Sequence, residues 1–545
     1  MVYSEKNIFM TFMKKILYKI PVLLLIVSLL ACDVERLPET QISDASFWKS
    51  EADIKAAANY LYTFLPGFTE DEVWSDNAYG TQSDPISDGT RLAPATSADY
   101  TAPYQLIRAA NNIIEKVPPA PVTDAIKNRY IGEARFYRAY GYIRLVQKYG
   151  NVPLILKTLQ NDSPELNEPA KPRAEIMKQI YEDLDFAAAN LPTPTVLGTA
   201  GYGRIANTTA LSMKARIALF EGTRAKFHKD GDPTQHLTLA AAAAKAVIDS
   251  KQHDLFANYT ALFQYAGEGR ANRENILVKQ YGTDPANLVL NHNFSTELYT
   301  GGVNPTKSLV DSYLMKDGLP ITKSPLYKTP VTSVDVFTDR DERLTGTVFK
   351  QGEDYNTGAK FNTPLNYFKT GFGPKKYFNA LDFTTRQALL DLTLLRYAEV
   401  LLTYAEAKYE LDGTISDADL DLSINLLRKR AKVAVLTNAF VTANGLSMQE
   451  EIRRERRVEL ALENLRYWDL IRWKTAETEL PKTVLGNFYF KTEFGVETPV
   501  VLDPQGYIIA QNASFRFFDP AKDYLWPFPV NEIGLNPALK QNPKW

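Results

Sequence analysis

Residues 450–474 form a densely charged run with no proline or glycine, and this stretch organises the reading of the whole chain. At helical period Val458, Leu462, Leu465, Trp468 and Ile471 fall on one face. That spacing predicts one helix of about seven turns. Glu463, Arg466, Asp469 and Arg472 follow at three-residue steps, so neighbouring turns are expected to pair on a solvated, salt-bridged face. A nucleic-acid helix would present an unbalanced basic face, and here the signs alternate. The stretch reads as scaffold.

Charge and cysteine content narrow the class. The chain carries a formal charge of -2, which argues against a nucleic-acid partner and against a polybasic membrane patch. Its one cysteine, Cys32, excludes an internal disulfide and a cysteine-based metal cage. Tyrosine is the most numerous aromatic, a bias that suits a wet binding surface and packed amphipathic helices equally.

The N-terminus reads as an export signal. Lys14, Lys15 and Lys19 precede an apolar run over 22–30 that is short for a membrane span. Translation from Met10 or Met13 would preserve it. Ser28, Leu29, Leu30 and Ala31 lead into Cys32 in the manner of a bacterial lipobox, which makes Cys32 the expected lipidation site. Several acyl chains at ~0.8 kcal/mol per buried methylene would anchor it permanently.

Helices with long loops follow. Ser50 is placed to cap a helix carrying Glu51, Ile54, Ala58, Leu61 and Leu65, stopped by Pro66 and Gly67. Residues 67–99 show no period around Trp74 and Tyr79, predicting a long structureless loop. Helical spacing resumes at Tyr100, Tyr104, Ile107 and Asn111, then through Ile126, Tyr130, Ala134, Tyr137, Gly141 and Leu145 to a stop at Gly150. A further helix carries Ile180, Leu184 and Ala187, another is expected to open at Gly203 and Arg204, and an alanine-rich one follows at 240–248. Loops and short strands are expected over 267–387, helices again from Leu389, and an extended tail after Leu525.

Glu455, Arg456, Arg457, Val458, Glu459 and Leu460, then Glu463, Arg466 and the block Trp468, Asp469, Leu470, Ile471, Arg472, Trp473, resemble the C-terminal signature of the SusD/RagB family. These are glycan-binding outer-membrane lipoproteins of Bacteroidetes-type bacteria. Further matches fall in the family's order: Glu133, Ala134, Arg135, Phe136 and Tyr137; Tyr149, Gly150, Asn151, Val152 and Pro153; Asp317, Gly318, Leu319 and Pro320. Tyr100 stands where tryptophan is frequent, and Lys544 where glycine is usual. The resemblance implies a mainly α fold, a SusD-like scaffold of tetratricopeptide-type helix pairs with a loop-rich, partly β mid-chain region. The letters show no clean 34-residue repeat. The implied organisation is a signal peptide over 1–31, a lipidated linker over 32–45, and helical halves over 46–266 and 267–545 forming one compact unit. Asp33 and Glu35, just after the cysteine, resemble the surface-export signal of these bacteria. The implied partner is a SusC-like TonB-dependent transporter, with this chain as its lid.

No catalytic constellation is legible. His228, His236, His253 and His292 lack metal-site spacing, so neither metal nor cofactor is expected. Asp339, Asp341 and Glu342, mixed with Arg340 and Arg343, read as a salt-bridged turn rather than a glycosidase pair. Sugar binding asks for aromatic rings against pyranose C–H faces and polar side chains on the hydroxyls. Candidates are Trp74, Asp76, Asn77, Tyr79 and Arg91 in the first loop and Asn291, His292, Asn293 and Tyr299 in the second. The expected function is capture of an oligosaccharide or polysaccharide. A RagB-type protein binding peptide is the alternative within the family, and a surface glycoside hydrolase the alternative outside it.

Overall fold

The computed structural model describes residues 47–545 apart from 284–288, 357, 363–364, 366 and 495–499; Cys32 and its surroundings lie outside the described residues. Helix α1 (Glu51–Tyr62) starts at a reciprocal cap, the Asp53 amide bonding the Ser50 hydroxyl while the Asp53 carboxylate accepts the Ser50 amide at 2.8 Å. There follow α2 (Ala98–Lys116), α3 (Asp124–Tyr149), α4 (Arg173–Asn190), α5 (Asn207–His228) and α6 (Pro233–Asp249). From α2 onward each packs on the next, the pairwise arrangement expected. Gly141 sets the α2–α3 approach, since a Cβ there would lie 2.8 Å from Ile107 Cγ1. Helix α5 opens at Asn207 rather than at Gly203, because Arg204 is drawn into an ion pair with Glu133 at 2.7 Å.

The array then leaves sequence order. Strand β1 (Asn275–Lys279) pairs antiparallel with β2 (Leu392–Arg396), Asn275 opposite Arg396. The expected helix after Leu389 is therefore a strand first, and helix only from α7 (Tyr397–Asp412). Helix α7 packs on α5 and α6 and closes the main core. A second core, rich in phenylalanine, fills the mid-chain region around Phe263, Phe294, Phe349, Phe361 and Phe378.

Two expectations are corrected. First, the run over 450–474 is broken. After α8 (Ile424–Ala431), helix α9 (Met448–Glu459) stops, and α10 (Arg466–Arg472) begins after a turn in which Leu462 and Asn464 adopt φ of 60° and 61°. Tertiary bonds override local propensity here: the Asn464 amide is held by the Glu72 carboxylate at 2.7 Å, and Glu463 by Lys376 and Arg396 at 2.6 and 2.7 Å. The charged face is also interior. Glu455, Arg456, Glu459, Asp469 and Arg472 are buried, and of the expected neighbouring-turn pairs only Asp469–Arg472 forms, at 2.9 Å. Glu459 accepts from Arg343 and Arg396 at 2.8 and 2.6 Å and from Arg430.

Second, the 67–99 segment is ordered by polar bonds rather than by apolar period. It contains a 3-10 turn (Asp71–Trp74), a two-residue strand (Ala78–Tyr79) paired with Asn304–Pro305, and a one-turn helix (Pro85–Asp88). Glu72, Ser75, Asn77, Ser87 and Asp88 are buried within it. No helix among the described residues is long and apolar enough to cross a membrane.

Candidate ligand-binding cleft

Where the ordered 67–99 segment folds back over the helices it leaves a cleft of about 380 Å³. Residues 66–74, the C-terminal half of α3, the middle of α5 and the break between α9 and α10 meet there, together with Phe294, Tyr377 and residues 392–394 of β2. Trp74 and Trp468 supply its indole rings. Trp74 is half-buried and fixed edge-on against Trp526 and Tyr467, with centroids at 5.4 and 5.8 Å. Trp468 is held edge-on by Tyr467 at 5.0 Å and Phe220 at 6.4 Å. Rings braced in this way lose little further freedom when a ligand stacks on them.

Helix α3 contributes the polar lining. Tyr140, Arg144 and Gln147 recur at helical spacing and face the cleft, with Lys148 beside them. Lys148 is bonded to Asp99 and lies 4.5 Å from the centre of the Trp526 ring. Burial depresses its ammonium against the support of Asp99, and Arg144 adds to the depression. Asp71 is pushed up to about 6 by burial, which Lys148 and the Thr69 hydroxyl only partly offset. Arg216 is committed to Glu399 and to the Leu394 carbonyl, the latter at 2.7 Å.

Of the residues named from sequence as ligand candidates, Trp74 alone lines this cleft. Asp76 lies beneath it, bonded to Arg466 at 2.8 Å and Arg457 at 3.0 Å, and those two cations hold its carboxyl far below its usual value against burial. Asn77 is fully buried, donating to Glu72 at 2.6 Å and accepting from Arg457 at 2.7 Å. Tyr79 is half-buried in its short strand. The Arg91 guanidinium is sandwiched between the Trp526 and Trp545 rings at 4.7 and 4.9 Å. His292 Nδ1 accepts from the Phe294 amide at 3.1 Å, so Nε2 donates to the Leu390 carbonyl at 3.0 Å. Burial pushes His292 down to about 4, leaving it neutral, and its ring packs on Phe68 of the cleft wall. Asn291 and Asn293 are exposed nearby. Tyr299 belongs to a separate aromatic cluster, stacked 4.2 Å from Phe383 and 5.4 Å from Tyr355.

Sequence reasoning missed Tyr140, Arg144, Gln147 and Trp468. The available signal was three hydrogen-bonding side chains at helical spacing beside the apolar face of α3; Trp468 read as part of the apolar stripe. Among the described residues no group of three or more His, Cys, Asp or Glu side chains could hold a metal. Asp341, one of the carboxylates weighed for hydrolysis, is fully buried against Arg343 at 2.7 Å.

The fold is thus one of paired helices carrying an aromatic-walled cleft. The chain belongs to the SusD family: a model of that family matches residues 273–545, and a second model, described as starch-binding associating with outer membrane, matches residues 41–219. A SusD-like protein of Bacteroides ovatus is 25% identical over 94% of both chains. SusD-like protein P38 of Formosa agariphila is 27% identical over 81% of this chain and 87% of its own length. The crystal structure of a SusD-like carbohydrate binding protein from Bacteroides fragilis superposes with a TM-score of 0.76 at 26% identity, covering 91% of this chain and all of that one.

Proposed function

We propose that this protein captures an oligosaccharide or polysaccharide at the cell surface and passes it to a SusC-like TonB-dependent transporter, without making or breaking a bond. The observation that carries the reading is the cleft, in which Trp74 and Trp468 stand beside Tyr140, Arg144 and Gln147 of α3. Braced rings suit pyranose faces, and the hydroxyl, amide and guanidinium groups suit sugar oxygens. The carbohydrate-binding relative from Bacteroides fragilis supports the same class of ligand. Cys32 would anchor the chain through lipid, with Asp33 and Glu35 directing it to the outward face. The helical halves over 46–266 and 267–545 would act as one unit, with Tyr299, Asn291 and Asn293 on a secondary contact surface.

Calorimetric titration of the detergent-solubilised full-length protein against a polysaccharide panel tests the reading. Saturable binding is expected for at least one glycan, weakened up to about tenfold in Trp74→Ala and Trp468→Ala, as loss of a stacked ring worth up to about 1.5 kcal/mol would give. Binding to acidic or neutral peptides with no glycan affinity would favour the RagB-type alternative. Transfer is tested separately, by co-purification of the transporter from membranes under native conditions.

A further inference from the structure

We infer that the cleft selects glycans bearing an anionic substituent, a uronic carboxylate or a sulfate ester, and that Arg144 on α3 is the group that selects them. The inference rests on glycan capture by this cleft and names the kind of glycan.

Among the described residues, the cations lining the cleft are committed to partners with one exception. Lys148 is bonded to Asp99, Arg216 to Glu399, Arg456 to Asp469 at 3.0 Å, and Arg472 to Glu406 at 2.5 Å. Arg144 is half-buried in the cleft wall, yet among the described residues it makes no hydrogen bond, ion pair or ring contact. A guanidinium offers five N–H donors in a planar fork that fits carboxylate and sulfate oxygens two at a time. The next turn sharpens the case. Arg144 and Lys148 are like charges four residues apart on one helix, an arrangement that destabilises it, and Asp99 neutralises only Lys148.

The carboxylates of the cleft leave Arg144 to the ligand. Glu463 is taken by Lys376 and Arg396, and Asp469 by Arg456 and Arg472. The charges that act on Asp71 are those of Lys148, Asp99 and Asp84. Gln147 is likewise without a hydrogen bond among the described residues and adds an amide at the same wall. An anion seated on Arg144 would have the ring of Trp468 or Trp74 available to the remainder of its sugar.

The test uses the full-length protein in detergent on an array of neutral, uronate-bearing and sulfated polysaccharides. Each hit is then titrated beside its methyl-esterified or desulfated form. The charged form is expected to bind about tenfold or more tightly than its neutralised twin, the gain of one charge-assisted bidentate contact. That ratio collapses towards one in Arg144→Gln and is partly kept in Arg144→Lys. Which twin series shows the effect separates carboxylate from sulfate. Thermal melts check that both variants fold, as expected for a side chain without partners. Equal affinity for both twins, or an unchanged ratio in Arg144→Gln, overturns the inference while leaving glycan capture intact. Binding of polyglutamate alone, or of no polysaccharide at all, overturns the capture reading and this inference together.

Discussion

Glu459 shows how this protein handles charge at the scale of a single side chain. Its carboxylate accepts from Arg343, Arg396 and Arg430 in the interior, and although burial raises it, those three cations hold it well below the usual glutamate range. Removing Arg343 takes a cation from three buried carboxylates at once: Glu455 keeps Arg428, Glu459 keeps Arg396 and Arg430, and Asp341 is left with no ion pair among the described residues. Arg343→Met, which strips Asp341 of its cation, is expected to cost about 3–5 kcal/mol in a denaturant titration. A loss under about 1 kcal/mol would contradict the account. Glu72 behaves in the opposite sense. Burial pushes it up to about 7, against hydrogen bonds from Asn77 and the Asn464 amide. Its folded value lies above the unfolded 4.5, so the stability it lends is complete below pH 4.5 and is lost as pH rises through 7. Denaturation midpoints of the wild type should therefore fall relative to Glu72→Gln between pH 5 and about 8. Parallel profiles for the two proteins would rule out Glu72 as the source.

At the scale of elements, helices with an apolar period were readable from the letters. Tyr130, Ala134, Tyr137 and Gly141 placed α3, and Gly150 ended it at φ of 76°. Gly141→Val is expected to destabilise by at least 1–3 kcal/mol, because Ile107 and the Pro103 carbonyl stand where the new carbons would go. Thermal melting beside Ala139→Gly, which creates a void at a buried site of the same helix, separates overpacking from cavity effects. Elements built from buried polar bonds were not readable. The 67–99 segment has no stripe to detect, since Glu72 and Asn77 are satisfied by Asn464 and Arg457, almost four hundred residues away. The break after α9 was hidden for the same reason. Trp74 could be named because a tryptophan in a polar stretch is conspicuous. Tyr140, Arg144 and Gln147 could not, because only the folded chain shows which face of α3 meets another helix and which is left open.

At the scale of the molecule, α9 joins the two cores. Ile452 packs into the helical core and Val458 into the aromatic one, with the buried ions of Glu455 and Glu459 between them. Neither core can open without exposing those charges, so unfolding is expected as one calorimetric transition with matching calorimetric and van't Hoff enthalpies. Two resolved peaks would show that the cores are independent.

The ring contacts around Arg91 carry an optical consequence. Trp526 touches Trp74 edge-on at 5.4 Å, and Arg91 bridges Trp526 to Trp545 at 4.7 and 4.9 Å. Trp74 and Trp468 share the Tyr467 ring as a neighbour. Four of the six indoles of the chain are thus linked into one chromophore group opening on the cleft. Excitation absorbed by any of them can migrate to the others, so under the proposed reading a sugar settling on Trp74 is expected to alter the emission of the whole set. A titration followed by intrinsic fluorescence would then report occupancy without a label, and unchanged emission at saturation would count against Trp74 as the contact.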